Sequence, residues 1–123
     1  MTIRLSVAVA ALVLMMAGGA SEVRAASELQ CQVLQGQDFS SVIDAPTHLM
    51  ATRVVEASDG VPAYCQVKGY VAPSVEFEIR LPLENWNGKF LQRGCGGFCG
   101  GVFIAACDNH VKDGYACIAS DMG

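Results

Sequence analysis

The sequence has few basic residues and no cluster of them. Its 123 residues include eight Lys and Arg against twelve Asp and Glu, which gives a formal net charge of −4. Proteins that bind nucleic acid neutralise phosphates with grouped Lys and Arg side chains. The charge pattern therefore argues against nucleic acid as a partner.

The sequence also lacks an apolar run long enough for a comfortable membrane span. Its longest apolar run, residues 5–17, follows Arg4 and precedes the small residues of the segment 23–25. A positive start, an apolar middle and a small-residue cleavage site are typical of a secretory signal peptide. We predict a signal peptide over residues 1–25, so that no membrane contact remains after cleavage. A cut after Ala20 and an uncleaved anchor are the alternatives.

Residues 26–123 would form the mature chain, which at 98 residues is at most one small domain. All six cysteines lie in this part, and an even count in an exported chain favours disulfides. Six cysteines allow fifteen pairings, among which the spacing alone does not choose. The six are Cys31, Cys65, Cys95, Cys99, Cys107 and Cys117.

The first half of the mature chain predicts a short helix and three antiparallel strands. Ser27 can cap a helix over residues 28–34, and the β-branched segment 49–56 pairs with 63–71 in a hairpin. Residues 75–81 alternate strictly between apolar and polar, which predicts a strand with one buried face and one solvated face. The side chains predicted to be solvated are those of Glu76, Glu78 and Arg80.

The second half predicts a βαβ unit. Residues 89–92 read as a strand, 102–111 as a helix that stops at Gly114, and 115–120 as a buried strand parallel to the first. The predicted fold class is therefore α/β, with antiparallel strands before one βαβ unit. Because this is a thin core for its length, we expect the sheet to be incomplete and the chain to be truncated.

A glycine-rich loop, residues 93–101, joins the first strand of this unit to the helix. Five of its nine residues are glycine. Glycines admit backbone dihedrals that other residues avoid, and free N–H groups at a strand-to-helix junction form an anion site. In an ester hydrolase the anion would be the oxyanion of the tetrahedral intermediate, whereas a plain tight connection is the alternative.

The cysteines of the second half admit a metal site. Three thiolates and one imidazole could bind zinc, and they would come from Cys95, Cys99, Cys107 and His110. Export argues against this site because thiols oxidise outside the cytoplasm. The alternatives are one or two disulfides among the last four cysteines, or a free core thiol at Cys117.

Six short segments in a fixed order carry a resemblance to a known family. They are Pro62-Ala63-Tyr64-Cys65, residues 77–82 (FEIRLP), residues 86–90 (WNGKF), the glycine-rich loop, residues 114–116 (GYA) and residues 120–123 (SDMG). This set resembles the N-terminal part of the tannase/feruloyl esterase family, which consists of secreted α/β-hydrolases that cleave aromatic carboxylic esters.

The resemblance implies roles for particular residues. Cys31 would pair with Cys65, and the backbone N–H of Gly97, with Gly96 and Phe98 as near candidates, would belong to an oxyanion hole. Residues 26–123 would be the first part of an α/β-hydrolase domain that is secreted or periplasmic. The implied partner is a small aromatic ester, and no cofactor or metal is implied. Apart from the resemblance, the position of Asp121 directly after the last predicted strand predicts that it shapes the end of that strand.

The sequence departs from the family in one respect. The family's serine nucleophile directly follows a cysteine and its histidine directly precedes one, but this chain has no Cys-Ser, no His-Cys and no Gly-x-Ser-x-Gly. The Ser-His-Asp triad is therefore expected beyond Gly123, and the chain alone is expected to be inactive. A small exported disulfide-rich binding module and a zinc-binding domain remain alternative hypotheses.

Overall fold

A computed structural model describes residues 19–123. The predicted signal peptide lies largely outside these residues, and its cleavage stays a prediction. Helix α1 spans Gly19–Leu34, so it ends where the sequence predicts but begins well before Glu28. Ser27 lies inside the helix and is not its cap, because strong helix formers such as Ala and Glu extend the helix upstream.

Five strands form one sheet within the described residues, in the order β1-β2-β3-β5-β4. The predicted hairpin is confirmed, since β1 and β2 pair antiparallel, and β3 pairs antiparallel with β2 and β5. The predicted parallel pair is also confirmed, because β4 and β5 run parallel. The strands are β1 (Thr47–Val55), β2 (Tyr64–Val71), β3 (Val75–Pro82), β4 (Phe90–Arg93) and β5 (Ala116–Ser120).

The predicted helix over residues 102–111 is confirmed only in part. The connection consists of a 3₁₀ turn, Ile104–Cys107, followed directly by a short helix α2, Asp108–Lys112. Phe103 precedes the turn with non-helical dihedrals and an exposed side chain. A longer helix would need an apolar face packed on the sheet, because isolated short helices are unstable in water.

Two small cores lie on opposite faces of the sheet. Cys65 and Tyr64 are neighbours on β2 and therefore face opposite sides. Cys65 packs with Cys31 of α1 and with Val67 and Leu83, whereas Tyr64 belongs to the second core. The other buried members of the second core are Cys107, Val111 and Cys117.

The face of β3 that was predicted to be solvated is only partly so. Glu76 is exposed as predicted, but Glu78 is 6% exposed and the side chain of Arg80 only 12% exposed. The prediction is wrong for these two residues because α2 and its preceding turn lie against this part of the sheet. The alternation of apolar and polar residues indicates which side chains share a face of the strand. It does not indicate which other segment packs on that face.

Polar groups on neighbouring strands satisfy the buried carboxylate. Gln66 Nε2 donates to Glu78 Oε1 at 2.7 Å, and Arg53 Nε donates to Gln66 Oε1 at 2.6 Å. Arg80 Nε lies 3.6 Å from the same Glu78 oxygen, and Lys68 Nζ lies 3.7 Å from Glu78 Oε2. These side chains run from β1 across β2 to β3.

Arg80 extends this set to the crossover connection. Its guanidinium donates to the carboxylate of Asp108, the first residue of α2, and lies 4.7 Å from the ring centroid of Tyr64. We call Gln66, Glu78, Arg80 and Asp108 the buried charge network. The network adds charged contacts to the apolar packing of Val111, which already joins α2 to the sheet in the second core.

Gly114, the predicted helix stop, has a positive φ of 81°, and a Cβ there would lie 2.5 Å from the carbonyl oxygen of Asn85. We expect Gly114→Ala to lower the free energy of unfolding by about 2 kcal/mol, through backbone strain and this clash. Urea unfolding followed by circular dichroism measures the change. The control is Gly36→Ala, where the nearest atom lies at 3.7 Å. Equal effects of the two substitutions would contradict the prediction.

Candidate functional site

The candidate site lies at the ends of the two parallel strands. β4 ends at Arg93 and β5 ends at Ser120, so the segments that follow them meet at one edge of the sheet. Residues 97–100 of the glycine-rich loop and residues 121–123 line an open cleft of about 360 Å³ there. In α/β sheets this edge is where ligands usually bind.

Three glycines of the loop adopt left-handed backbone conformations. Their φ angles are 34° at Gly96, 76° at Gly97 and 56° at Gly100. A Cβ at any of the three would meet no atom within 4 Å. Glycine is therefore needed here for its backbone freedom and not because space is short.

The loop amides stand free for a ligand. In the described part of the chain, residues 19–123, no backbone hydrogen bond uses the N–H of Gly96, Gly97 or Phe98. Residues 96–98 are also exposed. Successive unpaired N–H groups in a loop of this kind form an anion-binding concavity. The geometry can therefore stabilise negative charge that develops at the cleft.

The chain after β5 is held by one carboxylate. Asp121 Oδ1 accepts hydrogen bonds from the backbone N–H of Glu76 at 3.0 Å and from that of Gly123 at 2.9 Å. The Asp121 N–H in turn donates to the Glu76 carbonyl oxygen at 3.0 Å. The prediction that Asp121 shapes the end of its strand is confirmed. Asp121 thereby fixes one wall of the cleft.

All six cysteines form disulfides. The structure pairs Cys31 with Cys65, as the resemblance implies, and Cys117 with Cys107, so that Cys117 is not a free thiol. The third pair, Cys95 with Cys99, lies inside the glycine-rich loop. The thiolates that the zinc hypothesis needs are therefore consumed in S–S bonds.

The sequence did not predict the apolar rim of the cleft, which consists of the side chains of Phe98 and Met122. The Phe98 side chain is fully exposed at the tip of the loop, and Met122 is exposed with a φ of 66°. A non-glycine residue in this conformation is uncommon outside turns and functional sites. The only sequence signal was a phenylalanine between glycine and cysteine in a loop, where no core position is expected.

Among the described residues, 19–123, no helix combines the length and the apolar character that crossing a membrane requires.

A sequence model described as "Tannase and feruloyl esterase" matches residues 53–123, which is more than half of the chain. The chain belongs to the tannase and feruloyl esterase family. The glycine-rich loop and the wall at residues 121–123 lie inside the matched part, whereas α1 and Cys31 precede it. The cleft is therefore built from sequence that this family shares.

Individual relatives agree with this assignment. The chain is similar to an uncharacterized esterase of Xanthomonas campestris, with 29% identity over 108 residues that cover 85% of this chain and 19% of the esterase. Its fold resembles feruloyl esterase B from Aspergillus oryzae, with a TM-score of 0.63, 20% identity, and coverage of 77% of this chain and 22% of that one.

A second esterase structure from Aspergillus oryzae gives a TM-score of 0.59 at 20% identity, over 76% of this chain and 22% of that one. At this identity the two structures establish the fold and not the substrate. The tannase-family chain thus spans about a fifth of the length of the relatives it matches.

Proposed function

We propose that this chain is the N-terminal portion of a secreted or periplasmic carboxylic-ester hydrolase that acts on aromatic esters of the feruloyl or galloyl kind. The proposal rests chiefly on one observation: Gly97 lines an open cleft, and its N–H makes no backbone hydrogen bond, within sequence that matches the tannase family. Three disulfides agree with an oxidising compartment.

In this proposal the Gly97 N–H is one donor of the oxyanion hole. Ester hydrolysis by a serine nucleophile passes through a tetrahedral intermediate whose carbonyl oxygen carries negative charge. A preorganised backbone N–H stabilises that charge without reorganising during the reaction. Gly96 and Phe98 carry the neighbouring amides, so the same loop can offer a second donor.

The remaining catalytic groups are assigned to residues outside this chain. A Ser-His-Asp mechanism needs a nucleophile, a base and an acid, and this sequence has none of the dipeptides that mark the first two in the family. In the described sheet β4 pairs only with β5, so its other edge presents unpaired N–H and C=O groups. We assign that edge to a further strand that carries the nucleophile beside Gly97.

The proposal predicts that the chain of 123 residues does not hydrolyse methyl ferulate or methyl gallate. The protein encoded by this chain together with its downstream reading frame is expected to hydrolyse at least one of them. Release of the free acid, followed by chromatography, measures both. Turnover by the chain alone would overturn the assignment of the triad.

Sequencing after codon 123 provides an independent control for the same proposal. An open frame that encodes Cys-Ser and, further on, His-Cys is the expected result. An immediate stop codon in the natural gene would contradict it.

A small exported binding module is the second candidate, favoured by the three disulfides that hold all six cysteines. This hypothesis predicts a chain that unfolds cooperatively on its own and stays monomeric. The first proposal instead predicts that the unpaired edge of β4 makes the isolated chain self-associate. Sedimentation velocity distinguishes the two.

A further inference from the structure

The disulfide Cys95–Cys99 closes a very small ring around the candidate oxyanion amide. Its two cysteines are four positions apart, and the ring contains Gly96, Gly97 and Phe98. Both cysteines are half-buried, whereas the three residues between them are exposed. The bond therefore constrains the backbone at the place where the proposed donor lies.

Little else holds this segment in place. Gly96 and Gly97 lack neighbours within 4 Å of a built Cβ, and no backbone hydrogen bond of the described residues uses the amides 96–98. Consecutive glycines in such a loop would otherwise sample many conformations. A covalent cross-link here supplies the restraint that packing and hydrogen bonds supply elsewhere.

The ring also contacts the segment that follows β5. Cys99 Sγ lies 3.2 Å from the carbonyl oxygen of Asp121. The carboxylate of Asp121 is itself fixed by the N–H groups of Glu76 and Gly123. A continuous set of contacts thus runs from β3 through Asp121 to the disulfide. The S–S bond closes the loop, and the contact of Cys99 with Asp121 in addition places the loop beside the end of β5.

We propose that the Cys95–Cys99 disulfide is a positioning group that holds the Gly97 N–H in the orientation required for oxyanion binding. This inference rests on the proposed function. An oxyanion hole gains its effect from donors that are already oriented before the charge develops. A donor that had to be ordered during the reaction would lose part of that gain as conformational entropy.

The other two disulfides are buried and contribute to the stability of the fold. Their four cysteines are 0–2% exposed and lie in the two cores. One bond joins Cys31 to Cys65, and the other joins Cys107 to Cys117, so each links two separate elements of the fold. Their removal is expected to act on stability. The Cys95–Cys99 bond joins two positions of one exposed loop, so its removal is expected to act on the loop itself.

The first test uses the complete protein, meaning this chain with its downstream reading frame, because the isolated chain is expected to self-associate through the edge of β4. In the double variant Cys95→Ser/Cys99→Ser, the ¹⁵N order parameter of the Gly97 amide is expected to fall from about 0.85 to below about 0.6. The order parameters of β2 and β3 are the internal control and should not change. An unchanged Gly97 order parameter would overturn the inference.

The second test uses the complete enzyme, meaning this chain with its downstream reading frame. The same double variant is expected to lose about tenfold in kcat with KM unchanged, because the amide acts on the intermediate and not on the bound ester. The melting temperature should change little. The variant Cys31→Ala/Cys65→Ala is the matched control, with a lower melting temperature and an unchanged kcat at 25 °C.

The outcomes separate this inference from the proposed function. A mobile Gly97 amide together with an unchanged kcat would overturn the positioning role while leaving the esterase intact. A complete wild-type protein without esterase activity would overturn the proposed function and the catalytic part of the inference with it. A rigid Gly97 amide in the double variant would overturn the inference alone.

Discussion

Replacing Arg80 with methionine is expected to lower the free energy of unfolding by about 3 kcal/mol, because it removes the buried cation beside Glu78 and leaves only the half-exposed Lys68 near that carboxylate. The Arg80 guanidinium lies 3.6 Å from Glu78, which is 6% exposed, and donates to Asp108 of α2. Methionine keeps most of the side-chain volume, so the change reports charge rather than a cavity. Guanidinium unfolding monitored by circular dichroism measures it.

Lys68→Met is the matched control. Lys68 pairs with the same carboxylate at 3.7 Å, but its side chain is 48% exposed. Water and salt screen an exposed pair of this kind, so the expected loss stays below about 1 kcal/mol. Equal losses for the two substitutions would show that burial does not govern this network.

A double variant separates the charge from the packing. Glu78→Leu removes the buried carboxylate, so Arg80→Met in that background should cost at least about 1 kcal/mol less than in the wild type. An apolar pair can replace a buried ion pair at little cost, whereas one isolated buried charge is expensive. Additive effects of the two substitutions would contradict a direct interaction between Glu78 and Arg80.

Gly97→Ala in the complete enzyme is expected to reduce kcat by about a hundredfold. Gly97 has a φ of 76°, which alanine adopts only with strain, so the loop rearranges and its N–H leaves the orientation that the oxyanion requires. Within this chain a Cβ built on Gly97 meets no atom within 4 Å. Steady-state kinetics on methyl ferulate measures the effect.

Gly94→Ala is the control for the same loop. Its Cβ also meets no atom within 4 Å, and Gly94 is not among the residues with a positive φ. The two substitutions add the same methyl group three positions apart and differ in the backbone conformation they disturb. The proposed role of Gly97 fails if Gly94→Ala and Gly97→Ala reduce kcat equally.

The strands were predictable because their signals are local. Alternation over residues 75–81 and the β-branched segment 49–56 marked strands whose observed bounds differ by a residue or two, Val75–Pro82 and Thr47–Val55. The parallel pair β4 and β5 followed from a loop and an apolar run between two short strands. Turn and pleat geometry depends on neighbouring residues, which the sequence displays directly.

Local signals did not predict the bounds of the helix in the second half, nor the burial of the polar face of β3. Residues 102–106 are apolar, yet the chain turns as a 3₁₀ segment with Phe103 exposed. Glu78 and Arg80 sit at polar positions of an alternating strand, yet both are largely buried, and Arg80 contacts Asp108 of α2. Both outcomes depend on where another segment of the chain packs. An alternating pattern does not indicate which segment packs on the polar face of a strand.

The sequence by itself determined the family, the strands and the position of a glycine-rich loop after β4, because each depends on residue types in a fixed local order. Only the tertiary structure decided the pairing of the last four cysteines, the burial of Glu78 against Arg80, and the contact between Cys99 and Asp121. These features depend on how the segments pack when the sheet assembles, and the local order of residue types does not specify that packing.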